Sequence, residues 1–329
     1  MASPRAPGDP MSHPLSYLDV AGAQAATVEP LLWATIAISV AVTAIIALLL
    51  AGGLWRRRAP APAEGEALPP LERGVDGARW IWIGVGISLV PLFATLVWTV
   101  AVLAQVGPLP RNPRVTLDVT ANQWWWDVRY DGPQPDQIFH TANEIHVPVA
   151  EPVLVRLHGG DVIHSFWVPR LSGKTDLIPG QTNQAWIEAD RPGIYRGQCA
   201  EYCGAQHAHM AFEVVAEPRA AFDRWRARQL QTAPPPASEA QAAGFALFAS
   251  RCGMCHSIRG TSARASAAPD LTHLMSRRTL AAGTLPNNPQ SLTGWIENPQ
   301  AIKPGALMPD QGLSAADLNS LRAYLETLR

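Results

Sequence analysis

The chain has 329 residues, 47% of them hydrophobic and only 16% charged, with 26 Lys and Arg against 27 Asp and Glu. That length calls for two or three domains, and a charged fraction well below the ~25% usual in soluble domains places part of the chain in lipid. A formal net charge of −1 excludes the basic excess of a nucleic-acid binder, the apolar content excludes disordered and collagen-like chains, and four cysteines are too few for a disulfide scaffold.

Residues 1–30 precede the first apolar run. Leu31 to Trp55 and Trp80 to Pro110 contain no charged residue. Each run exceeds the ~20 residues that cross a ~30 Å hydrocarbon core, which predicts a two-helix transmembrane hairpin over 31–110, with helices near 31–55 and 80–104. Arg56, Arg57 and Arg58 close the first run, and Arg73 and Arg79 precede the second. The 56–79 loop is therefore expected in the cytoplasm, with both termini outside. Its Glu64, Glu66, Glu72 and Asp76 hardly weaken this, because the rule counts basic residues. A cleaved signal peptide would start with basic residues and carry roughly 7–15 apolar ones. The first run is longer and ends in three arginines, so it reads as a retained span whether the chain starts at Met1 or Met11.

From 111 to 232 the period becomes two. Arg114–Thr120, Glu144–Val149, Pro152–His158 and Ala185–Ala189 alternate apolar with polar residues, separated by turn clusters such as Asp131-Gly132-Pro133. This predicts an all-β sandwich or barrel. Arg219–Leu230 reads as a short helix and 233–237 (Ala-Pro-Pro-Pro-Ala) as an extended linker. Residues 238–329 read as all-α, with helices at Ser238–Arg251 and Ser314–Leu328. The second has Leu318, Leu321, Tyr324, Leu325 and Leu328 on one stripe and Ser314 with Asp317 at its N-cap.

Cys199, Cys203, His207 and Met210 lie within twelve residues, after the strand pattern Ile194–Gln198. Thiolate, imidazole and thioether form the soft donor set of copper electron-transfer sites. Mononuclear sites of that kind use one cysteine, whereas a second thiolate one turn away lets two sulfurs bridge two copper ions. Each ion then needs a histidine, and His164 suits the second position. A Cys-x3-Cys disulfide and a tetrahedral zinc site compete with this reading, and zinc would leave Met210 without a role. His209 neighbours His207 on the wrong side of the chain, and His140, His146 and His158 read as strand or surface histidines.

The segments His164-Ser-Phe-Trp-Val-Pro169, Lys174-Thr-Asp-Leu-Ile-Pro-Gly180, Arg191-Pro-Gly-Ile-Tyr195 and the 199–210 loop together resemble subunit 2 of haem–copper cytochrome c oxidase, over about residues 15–225. The resemblance implies a cupredoxin-like CuA domain at 111–232. By motif, its copper ligands are His164, Cys199, Cys203, His207, Met210 and the backbone carbonyl of Glu201. It also implies that the Glu201 side chain contributes to a magnesium ion shared with subunit 1. Trp124, in Gln123-Trp-Trp-Trp126, matches the tryptophan through which electrons reach CuA when a soluble cytochrome docks; alternate members of that run, Trp126 above all, also suit the sandwich core. Two positions depart from the family pattern. Aligned on Trp82, Arg79 stands where many members have a glutamate associated with proton uptake, and Gly86 replaces the following proline, so the pattern for that role is broken here; Asp76 is the candidate substitute.

Cys252-Gly-Met-Cys255-His256 is the C-x-x-C-H haem c attachment signature: two thiols one turn apart reach two vinyl groups, and the histidine faces the iron. A thioredoxin-like redox pair is the competing reading, against which the adjoining histidine and the helical setting count. Met308, in Lys303-Pro-Gly-Ala-Leu-Met-Pro309, resembles the distal ligand of class I c-type cytochromes. Met275 competes with it but lacks the flanking prolines, and Met254 reads as filler. Residues 111–233 carry 12 basic and 14 acidic residues, so the copper domain offers no strongly charged docking face. A tethered haem donor has less need of one, because the linker supplies a high effective concentration.

The expected function is that of the electron-accepting subunit of an aerobic oxidase in a bacterial plasma membrane, with both redox domains on the periplasmic side. Electrons would pass from cytochrome c or another donor through haem c and CuA to subunit 1, with subunit 3 a further partner. Neither span contains a histidine, so oxygen chemistry belongs to another subunit. The rivals are a CuA subunit of a nitric oxide reductase and a membrane-tethered copper-binding or delivery protein.

Overall fold

A computed structural model of the chain describes residues 15–56 and 76–329. Met1, Met11, Arg57, Arg58, Glu64, Glu66, Glu72, Arg73 and the side chain of Asp76 lie outside the described residues. The chain separates into two compact units, 26–108 and a second made of residues up to 25 together with 109–329.

The first unit is built on helices α1 (Ala23–Trp55) and α2 (Asp76–Val106), both long and apolar enough to cross a membrane. Their large side chains, among them Leu48, Leu49, Leu92 and Phe93, are exposed, as suits surfaces that meet lipid or other chains. Hydroxyls within them are satisfied internally: Ser39 and Thr43 donate to carbonyls four residues back at 2.8 Å, and Thr95 does so at 2.7 Å. Hydrocarbon offers no other acceptor. α1 begins at Ala23, eight residues before the uncharged run at 31. Hydropathy marks only what lipid requires, while Ala23, Gln24, Ala25 and Ala26 favour helix without it.

In the second unit, residues 115–217 form two five-stranded sheets. One has the order β3 (Phe139–Ala142), β2 (Trp125–Tyr130), β1 (Val115–Asn122), β5 (Val153–Gly159), β8 (Thr182–Ile187). The other has β4 (Glu144–Pro148), β10 (Ala211–Glu217), β9 (Gly193–Cys199), β6 (His164–Trp167), β7 (Thr175–Leu177). Alternate residues of β1 and β2 are buried, as their period-two patterns require. The core between the sheets centres on Trp126, whose ring meets Phe212 at 5.0 Å and Phe166 at 6.1 Å. Ahead of α1, Ala21 N–H donates to the Arg170 carbonyl (2.9 Å) and Asp19 pairs with Arg170 and Arg191, which ties residues 19–21 to the sandwich.

After α3 (Arg219–Gln229) the chain forms a helical domain: α4 (Glu239–Leu247), a short ribbon of β11 (Thr279–Leu280) and β12 (Leu285–Pro286), α5 (Pro289–Glu297), α6 (Pro299–Ile302) and α7 (Ala315–Leu325). α4 is shorter than the pattern over 238–251 suggests, because a π turn at Phe248–Cys252 replaces its last residues and redirects the chain. Ser314 caps α7 by accepting from Asp317 N–H (3.1 Å), and Leu318, Leu321, Tyr324 and Leu325 are its buried stripe. α4 crosses α7 at Gly244, where a Cβ would lie 2.0 Å from the Ser320 carbonyl oxygen. Only glycine permits that approach.

Candidate metal and haem centres

Antiparallel pairing of β6 with β9 sets Phe166 opposite Cys199 and so carries His164 to the end of β9. The loop from Cys199 to Met210 then folds back over this end before β10 pairs with β9. Five side chains and one carbonyl converge. Cys199 Sγ lies 3.7 Å from Cys203 Sγ, 3.8 Å from His164 Nδ1 and 3.2 Å from the Glu201 carbonyl oxygen. Cys203 Sγ lies 3.6 Å from His207 Nδ1 and 3.7 Å from Met210 Sδ. Both cysteines are free thiols. Their separation far exceeds the ~2.05 Å of a disulfide. Each sulfur thus has its own imidazole, and the set fits soft copper ions held between two thiolates. Among the described residues, His164, Cys199 and Cys203 form the only group of three or more His, Cys, Asp or Glu side chains placed to hold a metal.

Electrostatics favour losing a proton here. The hydrogen bond with Cys203, reinforced by His164, draws the Cys199 thiol down to about 3, while the same pairing drives Cys203 upward. One negative charge is thus readily accommodated, and a cation would supply what the second thiolate needs. Burial works against a charged His164 ring, but Cys199 and Asp161 outweigh it and raise its pKa. Asp161 Oδ1 sits 2.7 Å from His164 Nε2, which leaves Nδ1 directed at the sulfurs. This is the carboxylate–histidine arrangement that orients a metal ligand. The other oxygen of Asp161 accepts from Gln123 N–H at 2.6 Å.

Trp124 joins this shell through Nε1, which donates to the Cys203 carbonyl at 3.0 Å; the Gln123 amide donates to the same oxygen at 2.7 Å. Gly204 makes room for both side chains: its φ of +115° favours glycine, and a Cβ there would lie 3.0 Å from Gln123 Nε2 and 3.1 Å from the Trp124 ring. Trp124 is buried, whereas Trp126 belongs wholly to the sandwich core. The side chain of Glu201 is exposed and pairs with Lys174 at 3.6 Å. Its carboxylate meets a cation of the chain instead of other oxygen ligands, so magnesium has no support here. His209 turns to Gln206 (2.8 Å), His140 to Asp127 (3.0 Å) and His158 to Asp118 (3.0 Å), while His146 lies between Glu144 and Glu217.

In the helical domain, the π turn ends at Cys252, and the N–H groups of Cys255 and His256 both donate back to the Cys252 carbonyl, at 3.0 and 2.9 Å. One tight turn therefore presents the two thiols and the histidine. His256 Nδ1 lies 2.7 Å from the Pro269 carbonyl oxygen, which fixes Nδ1 as the protonated nitrogen and leaves Nε2 as the donor. Burial lowers its pKa, so the ring is neutral, as an iron ligand must be. These residues fit a covalent haem. Met308 is half-buried, its carbonyl held by Gln300 Nε2 at 3.0 Å. Met275 packs against the hydrophobic core of the domain.

The helical domain is seated on the sandwich at the copper end. Gln206 Nε2 donates to the Pro304 carbonyl (2.8 Å), Ala211 N–H to the Ala282 carbonyl (3.0 Å), and Arg278 pairs with Glu213 at 3.0 Å. A Cβ on Gly305 would be 3.5 Å from the Trp124 ring, so the loop that carries Met308 covers that tryptophan.

Residues 133–217 match the family described as "Cytochrome C oxidase subunit II, periplasmic domain", and residues 241–329 match "Cytochrome c". The cytochrome c oxidase subunit 2 of Alkalihalophilus pseudofirmus is 35% identical over 297 residues, covering 89% of this chain and 83% of its own. The chain belongs to the cytochrome c oxidase subunit 2 family. The subunit 2 of Bacillus sp. strain PS3 is 32% identical, with 84% and 80% covered. A crystal structure of the periplasmic domain of CoxB, the subunit II of Bradyrhizobium japonicum, is 31% identical and covers 37% of this chain and 96% of its own, with a TM-score of 0.35.

As a subunit 2 with a C-terminal cytochrome c domain, the protein combines the two apolar helices, the cupredoxin-like sandwich and the all-α domain expected from its sequence. Sequence reasoning missed Asp161, Gln123, Gln206 and Lys303. Asp161, three residues before His164, carried a local signal. The other three act through contacts 80 to 179 residues away in the chain.

Proposed function

We propose that this subunit takes electrons from reduced cytochrome c or another donor at a covalent haem, and delivers them through a dinuclear CuA centre to subunit 1 of an oxidase. The haem is assigned to Cys252 and Cys255 as thioether anchors and to His256 and Met308 as axial ligands. Copper is assigned to His164, Cys199, Cys203, His207, Met210 and the Glu201 carbonyl. When bound, these groups supply one-electron redox chemistry; the chain itself holds the ligands rigid, keeps water out and sets the spacing.

The observation that carries this reading is the convergence of two free thiols, two imidazoles and a thioether, with sulfurs and nitrogens 3.6–3.8 Å apart, in the same chain as a Cys-x-x-Cys-His turn. Trp124 is bonded to the Cys203 carbonyl and covered by the loop of Met308. That placement favours electrons arriving from the fused cytochrome domain over direct docking of a soluble protein on Trp124. His/Met axial ligation raises a haem potential, which suits such a donor. The two apolar helices would anchor the subunit in a bacterial plasma membrane, against subunit 1 and subunit 3, with both redox domains on the periplasmic side.

The test is spectroscopic. Purified wild type should show a mixed-valence dinuclear copper signal and a c-type haem band. Cys199→Ser should abolish the copper signal and leave the haem band. A wild type that contains no copper and carries a Cys199–Cys203 disulfide would overturn the assignment.

A further inference from the structure

Lys303 is the least expected buried residue of the molecule: a lysine 3% exposed, on the loop that leads to Met308. Its backbone closes α6, donating N–H to the Pro299 carbonyl at 2.8 Å, and its side chain leaves the helical domain. The amine donates to the Trp124 carbonyl at 2.6 Å and to the Ala281 carbonyl at 3.1 Å. Among the described residues no carboxylate lies within ion-pair distance of it, and burial lowers its pKa to about 7, offset in part by Cys203. Placing an amine here is costly, and general packing needs do not account for it, since an apolar side chain would fill the volume without that cost.

What the amine joins explains it. Trp124 hangs on the Cys203 carbonyl through its indole N–H, so a bond to the Trp124 carbonyl reaches the copper-ligand loop through a single residue. Ala281 belongs to a left-handed stretch with Ala282 and Gly283, at φ of 51°, 58° and 74°. Within it, the Ala282 carbonyl accepts from Ala211 N–H, the residue directly after Met210. One side chain thus braces the Met308 loop against the segments that lead to Cys203 and to Met210. Next to it, Gln206 holds the Pro304 carbonyl and the Trp124 ring faces Gly305.

We propose that Lys303 is a positioning residue for electron transfer within this subunit, a latch that fixes the loop of Met308 over Trp124 and so fixes the gap between the two centres. The proposal rests on the electron route proposed above. Tunnelling falls off exponentially with distance, so a seat that loosens by an ångström or two slows transfer without altering either centre.

The experiment uses the intact, copper- and haem-loaded subunit in its oxidase complex. The haem is reduced rapidly by a photochemical donor, and reduction of copper is followed in wild type, Lys303→Met and Lys303→Gln. Methionine keeps the volume but removes every donor; glutamine keeps two N–H donors one atom short. Lys303→Met should slow the haem-to-copper step about tenfold or more, the scale of a misplacement by an ångström or two. Haem band, copper spectrum and both potentials should remain as in wild type, and Lys303→Gln should recover part of the rate. An unchanged rate in Lys303→Met, or a fall fully accounted for by a shifted copper potential, would overturn the latch while leaving the route intact. A wild type whose copper stays oxidised after the haem is reduced would overturn both. Should Lys303→Met lose haem or copper, Lys303→Leu, which also lacks every donor, is measured in its place, and a wild-type rate there would overturn the latch.

Discussion

Asp161 shows how much of this site depends on a residue that does not touch the metal position. With one oxygen it takes the Nε2 side of His164, and with the other the N–H of Gln123, the residue before Trp124. The imidazole is thereby fixed with Nδ1 toward Cys199, and the turn that carries Trp124 is fixed to the same carboxylate. Asparagine can accept only one of these bonds well and presents a donor to the other side. Asp161→Asn should weaken copper binding about 10–100-fold, the usual scale for removing such an orienting partner. Competition with a copper chelator measures it, and the haem band should not change. This residue was within reach of sequence reasoning, because it lies three positions before His164. The proposed copper ligands were more legible still: Cys199, Cys203, His207 and Met210 sit in one loop and need no tertiary information. His164 is 35 residues from Cys199 and was placed by motif, and strand pairing explains the match.

At the scale of elements, β4, β10 and α3 are held together by a buried charged cluster. His146 on β4 contacts Glu217 on β10 at 2.8 Å and Glu144 at 3.1 Å, and the Trp225 ring of α3 stacks on it at 4.1 Å. Burial alone would lower the pKa of His146, but Glu144 and Glu217 outweigh it, and the result is a rise above 6.5. A raised histidine stabilises the fold fully below its unfolded pKa near 6.5, and that contribution is lost as pH rises through the folded value. His146→Gln should therefore cost about 1–3 kcal/mol at pH near 5.5 and progressively less above pH 7. Thermal unfolding of both proteins across that range measures the gap, and a gap that widens with pH would contradict the assignment. The sequence offered no sign of this cluster, where Glu217 lies 71 residues from His146 and only the parallel pairing of β4 with β10 brings them together.

At the scale of the whole molecule, the seat of the cytochrome domain relies on short-range bonds. Lys303 and Gln206 use backbone carbonyls, Ala211 and Ala282 join main chain to main chain, and one ion pair, Arg278 with Glu213, lies at the edge. Mobile ions screen exposed charges over about 8–10 Å at 0.10–0.15 M salt and act little on buried hydrogen bonds. The haem-to-copper rate within the subunit should change less than about twofold between 0.05 and 0.5 M salt. A steep fall with salt would mean that the two domains meet by electrostatic encounter.

The sequence by itself determined the parts: two long apolar helices from uncharged runs, a sandwich from period-two strands and a helical domain, because each of these is written in neighbouring residues. The tertiary structure decided how the parts serve one another. It turned Trp124 inward beneath the loop of Met308, gave Glu201 to Lys174, and buried Lys303 against the Trp124 and Ala281 carbonyls. None of these follows from local pattern, because contacts that span 27 to 179 residues depend on which elements meet in the folded protein.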